Sequence, residues 1–223
     1  MKLYSGPLSL FSRKVEIALH EKGLAFERVM VPFSQAQGYS PKHPDVVAAN
    51  PKAQVPVLVD GDLTLFDSTL ILEYLEEAYP RPALWPADPK ARARGRMVEL
   101  AADEVLLPLV ARFMYRSEPP DADIERRQSR EAEGRRAEAA LIAHYERLGG
   151  LLAGKDYFGG EFSIADIGMF MTILFSLRLK GPRLAAVPAL QTWYARMGAR
   201  PAVARVASEI AAADRALSPA LNA

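Results

Sequence analysis

The 223-residue chain is 50% apolar and 25% charged, the balance of a globular protein able to bury a sizeable core. Its 28 Lys and Arg against 27 Asp and Glu give a formal net charge of +1. No basic stripe is interleaved with aromatics, so a nucleic-acid partner is not expected. Cysteine is absent, which excludes disulfides, thiolate metal sites and any mechanism that needs a protein thiol.

In chain order, Lys2 to Ser5 is a short strand-like start. From Ser12 the period changes: Val15, Ala18 and Leu19 recur at helical spacing, and Lys22-Gly23 supplies a basic last turn and a glycine stop. Phe26 to Val31 alternates in strand fashion, so residues 2–31 read as a β-α-β unit with a right-handed crossover. Residues 32–51 carry a weaker pattern rich in Pro, Ser and Gln, with one helical turn around Asp45 to Ala48. Gln54 to Val59 and Leu63 to Phe66 read as a hairpin around Asp60-Gly61-Asp62. Asp67-Ser68 then caps a helix whose inner face is Leu70, Ile71, Tyr74, Leu75 and Ala78. The order β-α-β, then β-β-α, is the thioredoxin order: a mixed four-stranded sheet with helices on both faces.

Four prolines (Pro80, Pro82, Pro86 and Pro89) and little periodicity mark a linker. Beyond it every signal is helical: Ala91 to about Met114 with a kink at Pro108, Ile124 to Leu148, Ser163 to Leu179, Ala189 to Met197 and Pro201 to about Ala213. The expected organisation is an α/β domain over residues 1–79, a linker over 80–89 and an all-α domain over 90–223. No apolar run approaches the ~18 residues needed to cross a bilayer, and no apolar leader is visible at Met1-Lys2-Leu3-Tyr4. A cytoplasmic protein without membrane attachment is therefore expected. His20, His43 and His144 are scattered without a second ligand at metal spacing, so no metal is expected.

Three segments carry chemistry. Ser9-Leu10-Phe11-Ser12-Arg13-Lys14-Val15 lies at the first strand-to-helix turn, where unpaired N–H groups and the helix dipole favour an anion. Ser9 and Ser12 stand at the spacing that two cysteines occupy in redox proteins of this fold. They cannot exchange disulfides, but they can hydrogen-bond a ligand's thiolate; alternatively Ser12 is an N-cap and Ser9 a turn residue. In Asn50-Pro51-Lys52-Ala53-Gln54-Val55-Pro56 a proline opens a strand without donating to the ladder. A cis Val55–Pro56 bond would turn the Val55 backbone outward, toward an extended peptide. Asp67-Ser68 caps a helix, yet it also suits the ammonium and carboxylate of an α-amino acid.

In this order and spacing the segments resemble the glutathione transferase family, over nearly the whole chain. Ser9-Leu-Phe-Ser-Arg-Lys-Val is similar to the active-site turn of theta- and zeta-type members, with Ser9 on their catalytic serine. Asn50-Pro-Lys-Ala-Gln-Val-Pro56 is similar to the family's N-P-x-x-x-V-P, and Asp67-Ser68 to its E/D-S pair. The resemblance implies that Asp67 and Ser68 grip the γ-glutamyl end of glutathione. It further implies that Gln54 lies near the glycyl carboxylate and that Val55, before Pro56, pairs with the cysteinyl backbone. Phe162-Ser163-Ile164-Ala165-Asp166-Ile167 resembles the S/T-x-x-D box opening the family's central C-terminal helix, a capping box with a structural role.

The family's fold is the one read above: a thioredoxin-like N-terminal domain followed by an all-α domain. The implied activity is attack of the glutathione thiolate on a small hydrophobic electrophile, with glutathione as co-substrate and a homodimer as the working state. Without a cysteine the chain departs from omega- and beta-type members, and Ser9 to Glu16 do not reproduce the zeta signature S-S-C-x-W-R-x-R. Tyr4 is a second candidate for thiol activation and Ser12 a third. Lys42, His43 and Gln54 compete for the glycyl carboxylate. An electrophile pocket is expected between the domains, under the helix containing Leu107 to Tyr115, with Arg112, Met114 and Tyr115 as candidate lining.

Overall fold

The computed structural model describes residues 1–119 and 122–221. The chain divides into two units, the first formed by Met1–Trp85 with Pro201–Leu217 and the second by Pro86–Arg200 with the residues after Leu217.

In the first unit the strands are β1 (Lys2–Ser5), β2 (Glu27–Met30), β3 (Val57–Asp60) and β4 (Leu63–Phe66), in the sheet order β2-β1-β3-β4. β1 pairs parallel with β2 and antiparallel with β3, and β3 pairs antiparallel with β4. The helices are α1 (Leu10–Glu21), α2 (Pro44–Ala49) and α3 (Ser68–Ala78). Side chains alternate across the sheet. Tyr4 and Val57 join Val31 and Val46 in one buried cluster on the α2 side, while their neighbours Leu3 and Leu58 turn to the opposite face. There Val15, Leu19, Ile71 and Leu75 are fully buried. This is the thioredoxin arrangement read from the order of the strand and helix signals.

The second unit contains α4 (Pro89–Leu100), a π-helical stretch (Ala101–Leu106), α5 (Leu107–Ala111), α6 (Ile124–Leu151), α7 (Ile164–Arg178) and α8 (Pro188–Gly198). α7 is buried along almost all its length, as a helix apolar on every side must be, and α4, α5 and α8 pack against it. The single kinked helix expected from Ala91 to Met114 is instead α4, the π stretch and α5. Pro108 has no N–H for the carbonyl four residues back, and its ring crowds that carbonyl, so the wider π turns lie just before it.

The two units divide the chain differently from the expected boundaries at 79 and 90. Glu76 accepts the amides of Leu84 (2.9 Å) and Trp85 (3.0 Å), and Glu73 accepts Trp85 Nε1 at 3.0 Å. Buried Lys22 donates to the carbonyls of Tyr79 (2.8 Å) and Pro82 (2.9 Å). These bonds make residues 80–85, expected as linker, part of the first unit. The last helix, α9 (Pro201–Leu217), was expected in the helical domain but belongs to the first unit, where it packs on α1. Its apolar stripe is Val203, Val206 and Ile210. Residues 222 and 223, the end of the expected helical domain, lie outside the described residues. Among the described residues no helix is long and apolar enough to cross a membrane.

Candidate active site

The strand register gathers the three segments at one end of the sheet. Tyr4 lies opposite Val57 and Val57 opposite Phe66. The turn after β1, the residues before β3 and those after β4 therefore open side by side. They carry Ser9, Gln54-Val55-Pro56 and Asp67-Ser68, respectively.

Ser9 is the N-cap of α1, with φ −92° and ψ 107°, and only 8% of its surface is exposed. Its Oγ accepts the Ser12 N–H at 3.2 Å and the Ser12 hydroxyl at 2.9 Å. Those two bonds fill the acceptor capacity of the Ser9 oxygen and leave its own proton to be donated. The first turn of α1 has no acidic residue, so the positive end of the helix dipole is not offset there. Ser12 is the fully buried member of the pair.

The turn that carries Ser9 is braced from both sides. Tyr39 accepts the Leu8 N–H at 3.1 Å, and its ring lies so close to Gly6 that a Cβ there would come within 2.4 Å of it. From below, Arg13 Nη2 donates to the Pro7 carbonyl at 3.4 Å. Neither brace was found by sequence reading. Tyr39 sits in the aperiodic stretch 32–51, and nothing local in the sequence directs Arg13 to the Pro7 carbonyl.

The Val55–Pro56 bond is cis. Asn50, also buried, holds the loop before it: its side chain donates to the Gln54 carbonyl at 2.6 Å and accepts the Lys52 N–H at 2.9 Å. The Asn-Pro pair was a legible turn signal whose bracing role went unread. Val55 is half-buried, and the Gln54 side chain is exposed at the rim.

Asp67 caps α3, with Oδ1 accepting the N–H groups of Thr69 (3.0 Å) and Leu70 (3.4 Å). Its φ of 74° with ψ of 124° is a conformation that costs a non-glycine residue about 1–3 kcal/mol and clusters at ligand sites. Ser68, next to it, is buried. Of the Asp67-Ser68 pair expected to cap this helix, Asp67 is the cap and Ser68 the first helical residue, at a backbone whose strain capping alone does not require.

Tyr4, the second candidate for thiol activation, donates its hydroxyl to the Asp45 carboxylate on α2. That bond, with burial and the Asp45 charge, pushes its pKa up to about 12. His43 caps α2 by accepting the Asp45 N–H at 3.2 Å, and its ring lies 4.9 Å from that of Tyr4. Lys42 is exposed. In the second unit, Arg112 pairs with Glu133 at 3.1 Å beside a shallow cavity of about 310 Å³ that Leu109, Arg136 and Ala137 also line. Tyr115 packs on Gly134 of α6, and Met114 is largely exposed. Among the described residues no three His, Asp or Glu side chains gather as a metal site.

The sequence matches the glutathione S-transferase N-terminal domain family over residues 3–83 and the corresponding C-terminal domain family over residues 98–201. It is 32% identical to glutathione S-transferase 3 of Zea mays over 220 residues, 94% of each chain. It is 43% identical to a stringent starvation protein A homolog of Coxiella burnetii over 100 residues, 44% of each chain. The chain thus spans less than half the length of that relative. The theta-class glutathione S-transferase of Xanthomonas axonopodis pv. citri, solved with glutathione bound, superposes with a TM-score of 0.77 at 28% identity, covering 92% of this chain and 96% of that one. The chain belongs to the glutathione S-transferase family.

Proposed function

We propose that this protein is a glutathione transferase in which Ser9 donates a hydrogen bond to the glutathione thiolate for attack on a small hydrophobic electrophile. The observation that carries the proposal is the Ser12-to-Ser9 relay at the N-terminus of α1, which leaves one donor, the Ser9 proton, beside the positive end of the helix. A free thiol titrates near ~8.5, and helix N-termini with added donors bring thiols to ~7 or below. One hydroxyl donating to a charged acceptor supplies roughly 1.5–3 kcal/mol, so no general base is needed. The thiol proton leaves to solvent. The C–S bond then forms as the bond to the leaving group breaks, and that group departs with the electron pair.

In this reading the γ-glutamyl ammonium meets Asp67 and its carboxylate meets Ser68 and the first amides of α3. The cysteinyl backbone pairs with Val55 beside cis-Pro56, and Gln54 reaches the glycyl carboxylate. Arg112 and Tyr115 contact the electrophile. The protein works as a cytoplasmic homodimer. Exposed Met97, Leu100 and Val105 in the second unit support the dimer, and sedimentation should return twice the monomer mass. Steady-state turnover of glutathione with an activated aryl halide tests the function. A binding protein without turnover is the second reading, favoured by the likeness to a relative named for starvation rather than for transfer; it predicts glutathione binding with no product.

Asp67 separates capping from recognition. Asparagine caps a helix about as well as aspartate but carries no charge for an ammonium. Asp67→Asn is therefore expected to weaken glutathione binding by about 10-fold, the loss of one charged partner, while the thermal midpoint barely moves. Calorimetric titration of both proteins checks it; equal affinities would leave Asp67 as a cap alone.

A further inference from the structure

Behind the Ser9 turn, two arginines and two glutamates from α1, β2 and α9 close a square, and Arg205 of α9 donates to Glu209 Oε1 at 3.5 Å. Arg13 Nη1 donates to Glu16 Oε2 at 2.7 Å and to Glu209 Oε2 at 2.9 Å. Arg28 Nη1 donates to the same Glu16 oxygen at 3.0 Å and also to Glu209. Ser5, at the end of β1, donates to the other oxygen of Glu16. Arg13 and Glu16 are buried, while Arg28, on β2, and Glu209, on α9, are the partly exposed corners. Burial raises the Glu209 pKa, but the hydrogen bonds from Arg28 and Arg13 outweigh it and hold the carboxyl below its ordinary value.

One guanidinium nitrogen of Arg13 is thus fixed between two carboxylates while the other, Nη2, reaches the Pro7 carbonyl, two residues before Ser9. We propose that Glu209 is a positioning residue for Ser9: through Arg13 it fixes the Pro7–Ser9 turn, and so the direction in which the serine hydroxyl is presented. Planar, forked donors suit this task, since three acceptors in different directions are held by one rigid group. Through Glu209, 196 residues from Arg13 in the chain, α9 then becomes part of the thiolate-activating apparatus. The inference rests on the Ser9 reading above.

Two effects of Glu209 on a bound thiolate have opposite signs. As a negative charge it disfavours the thiolate, so removing it lowers the thiol pKa. As a brace for the Ser9 turn it favours the thiolate, so removing it raises that pKa. The test is ultraviolet titration of bound glutathione in the wild type, Glu209→Ala, Glu209→Gln, Ser9→Ala and the Ser9→Ala/Glu209→Ala double variant. Glu209→Ala should raise the thiol pKa by about half to one unit. At mildly acid pH turnover then falls by roughly 3- to 10-fold, with the KM for glutathione within about 2-fold. Glu209→Gln, which keeps an acceptor for Arg13, should restore most of the loss; a purely charge-based role would instead lower the pKa in both variants. In the Ser9→Ala background the second substitution should raise the pKa no further. If Glu209→Ala fails to fold, Arg13→Lys supplies the same reading, because a single ammonium cannot span the three acceptors. A pKa that stays or falls, or that rises equally without Ser9, overturns the positioning role and leaves the Ser9 reading standing. A wild type whose bound glutathione titrates no lower than free glutathione overturns both.

Discussion

Replacing Asp166 by alanine is expected to destabilise the fold by about 3–5 kcal/mol, several times the value of an ordinary helix cap. The capping box with Ser163 forms as its spacing indicates, and caps of this kind contribute about 0.5–2 kcal/mol. The carboxylate does more than cap. Oδ2 accepts the Ser163 N–H and hydroxyl, both at 3.0 Å, while Oδ1 accepts the Phe158 N–H at 3.1 Å and Trp193 Nε1 at 2.9 Å. Asp166 and Trp193 are almost wholly enclosed, so alanine would strand donors that each cost about 1–3 kcal/mol unpaired. Water entry and hydroxyl rotation recover part of this. Burial pushes the Asp166 pKa up, against the bonds it accepts. A folded pKa above the unfolded one means that the folded chain holds the proton more tightly. This group's contribution is therefore full in acid and declines as pH rises through the folded pKa, and the cost of Asp166→Ala should be larger in mild acid than at neutral pH. Urea unfolding at two pH values measures both. A cost near 1 kcal/mol at either pH would mean that the cap accounts for the whole contribution.

The same residue illustrates how far the sequence could be read. Ser163 and Asp166 are three apart, and that local spacing sufficed for the box. Nothing local joins Asp166 to Trp193, 27 residues on. The thioredoxin unit was legible for the same reason. Its strands, its hairpin and the cap at Asp67 are governed by residues within a few positions of one another; the cap of α1 falls on Ser9 and not on Ser12, where the sequence placed it. The cis bond before β3 could be anticipated from Val55-Pro56 at a strand start. What escaped was tertiary. Arg13 and Glu16 on α1, Arg28 on β2 and Glu209 on α9 lie apart in the chain, and only folding makes them a square. α9 has the same amphipathic stripe whichever unit it packs on, so its sequence could not assign it to the first. Tyr39 lies in a stretch without periodicity, and its contact with Gly6 has no sequence signal. The π turns before Pro108 are a variant of the expected kink, since proline announces a broken hydrogen-bond ladder but not how the backbone adjusts.

Ser9→Ala is expected to lower turnover by roughly 10- to 1,000-fold, the effect of removing one charge-assisted donor of about 1.5–4 kcal/mol. Glutathione affinity should change far less, because in the proposed reading the tripeptide is held mainly by Asp67, Ser68 and the Val55 backbone. The diagnostic is again the absorbance of bound thiolate against pH, whose apparent pKa should rise in Ser9→Ala toward that of free glutathione. Two control substitutions divide the alternatives. Tyr4→Phe should leave that pKa in place, since the Tyr4 hydroxyl is already donated to Asp45. Ser12→Ala should raise it by a smaller amount than Ser9→Ala, because it removes the donor that polarises Ser9 while the Ser9 proton still points to sulfur. The ordering Ser9 above Ser12 above Tyr4 is the signature of a relay ending at Ser9. If Ser12→Ala produces the larger shift, the buried serine is the donor and Ser9 only its cap. If Tyr4→Phe does, the hydroxyl leaves Asp45 when glutathione binds, and thiol activation belongs to the strand rather than to the turn.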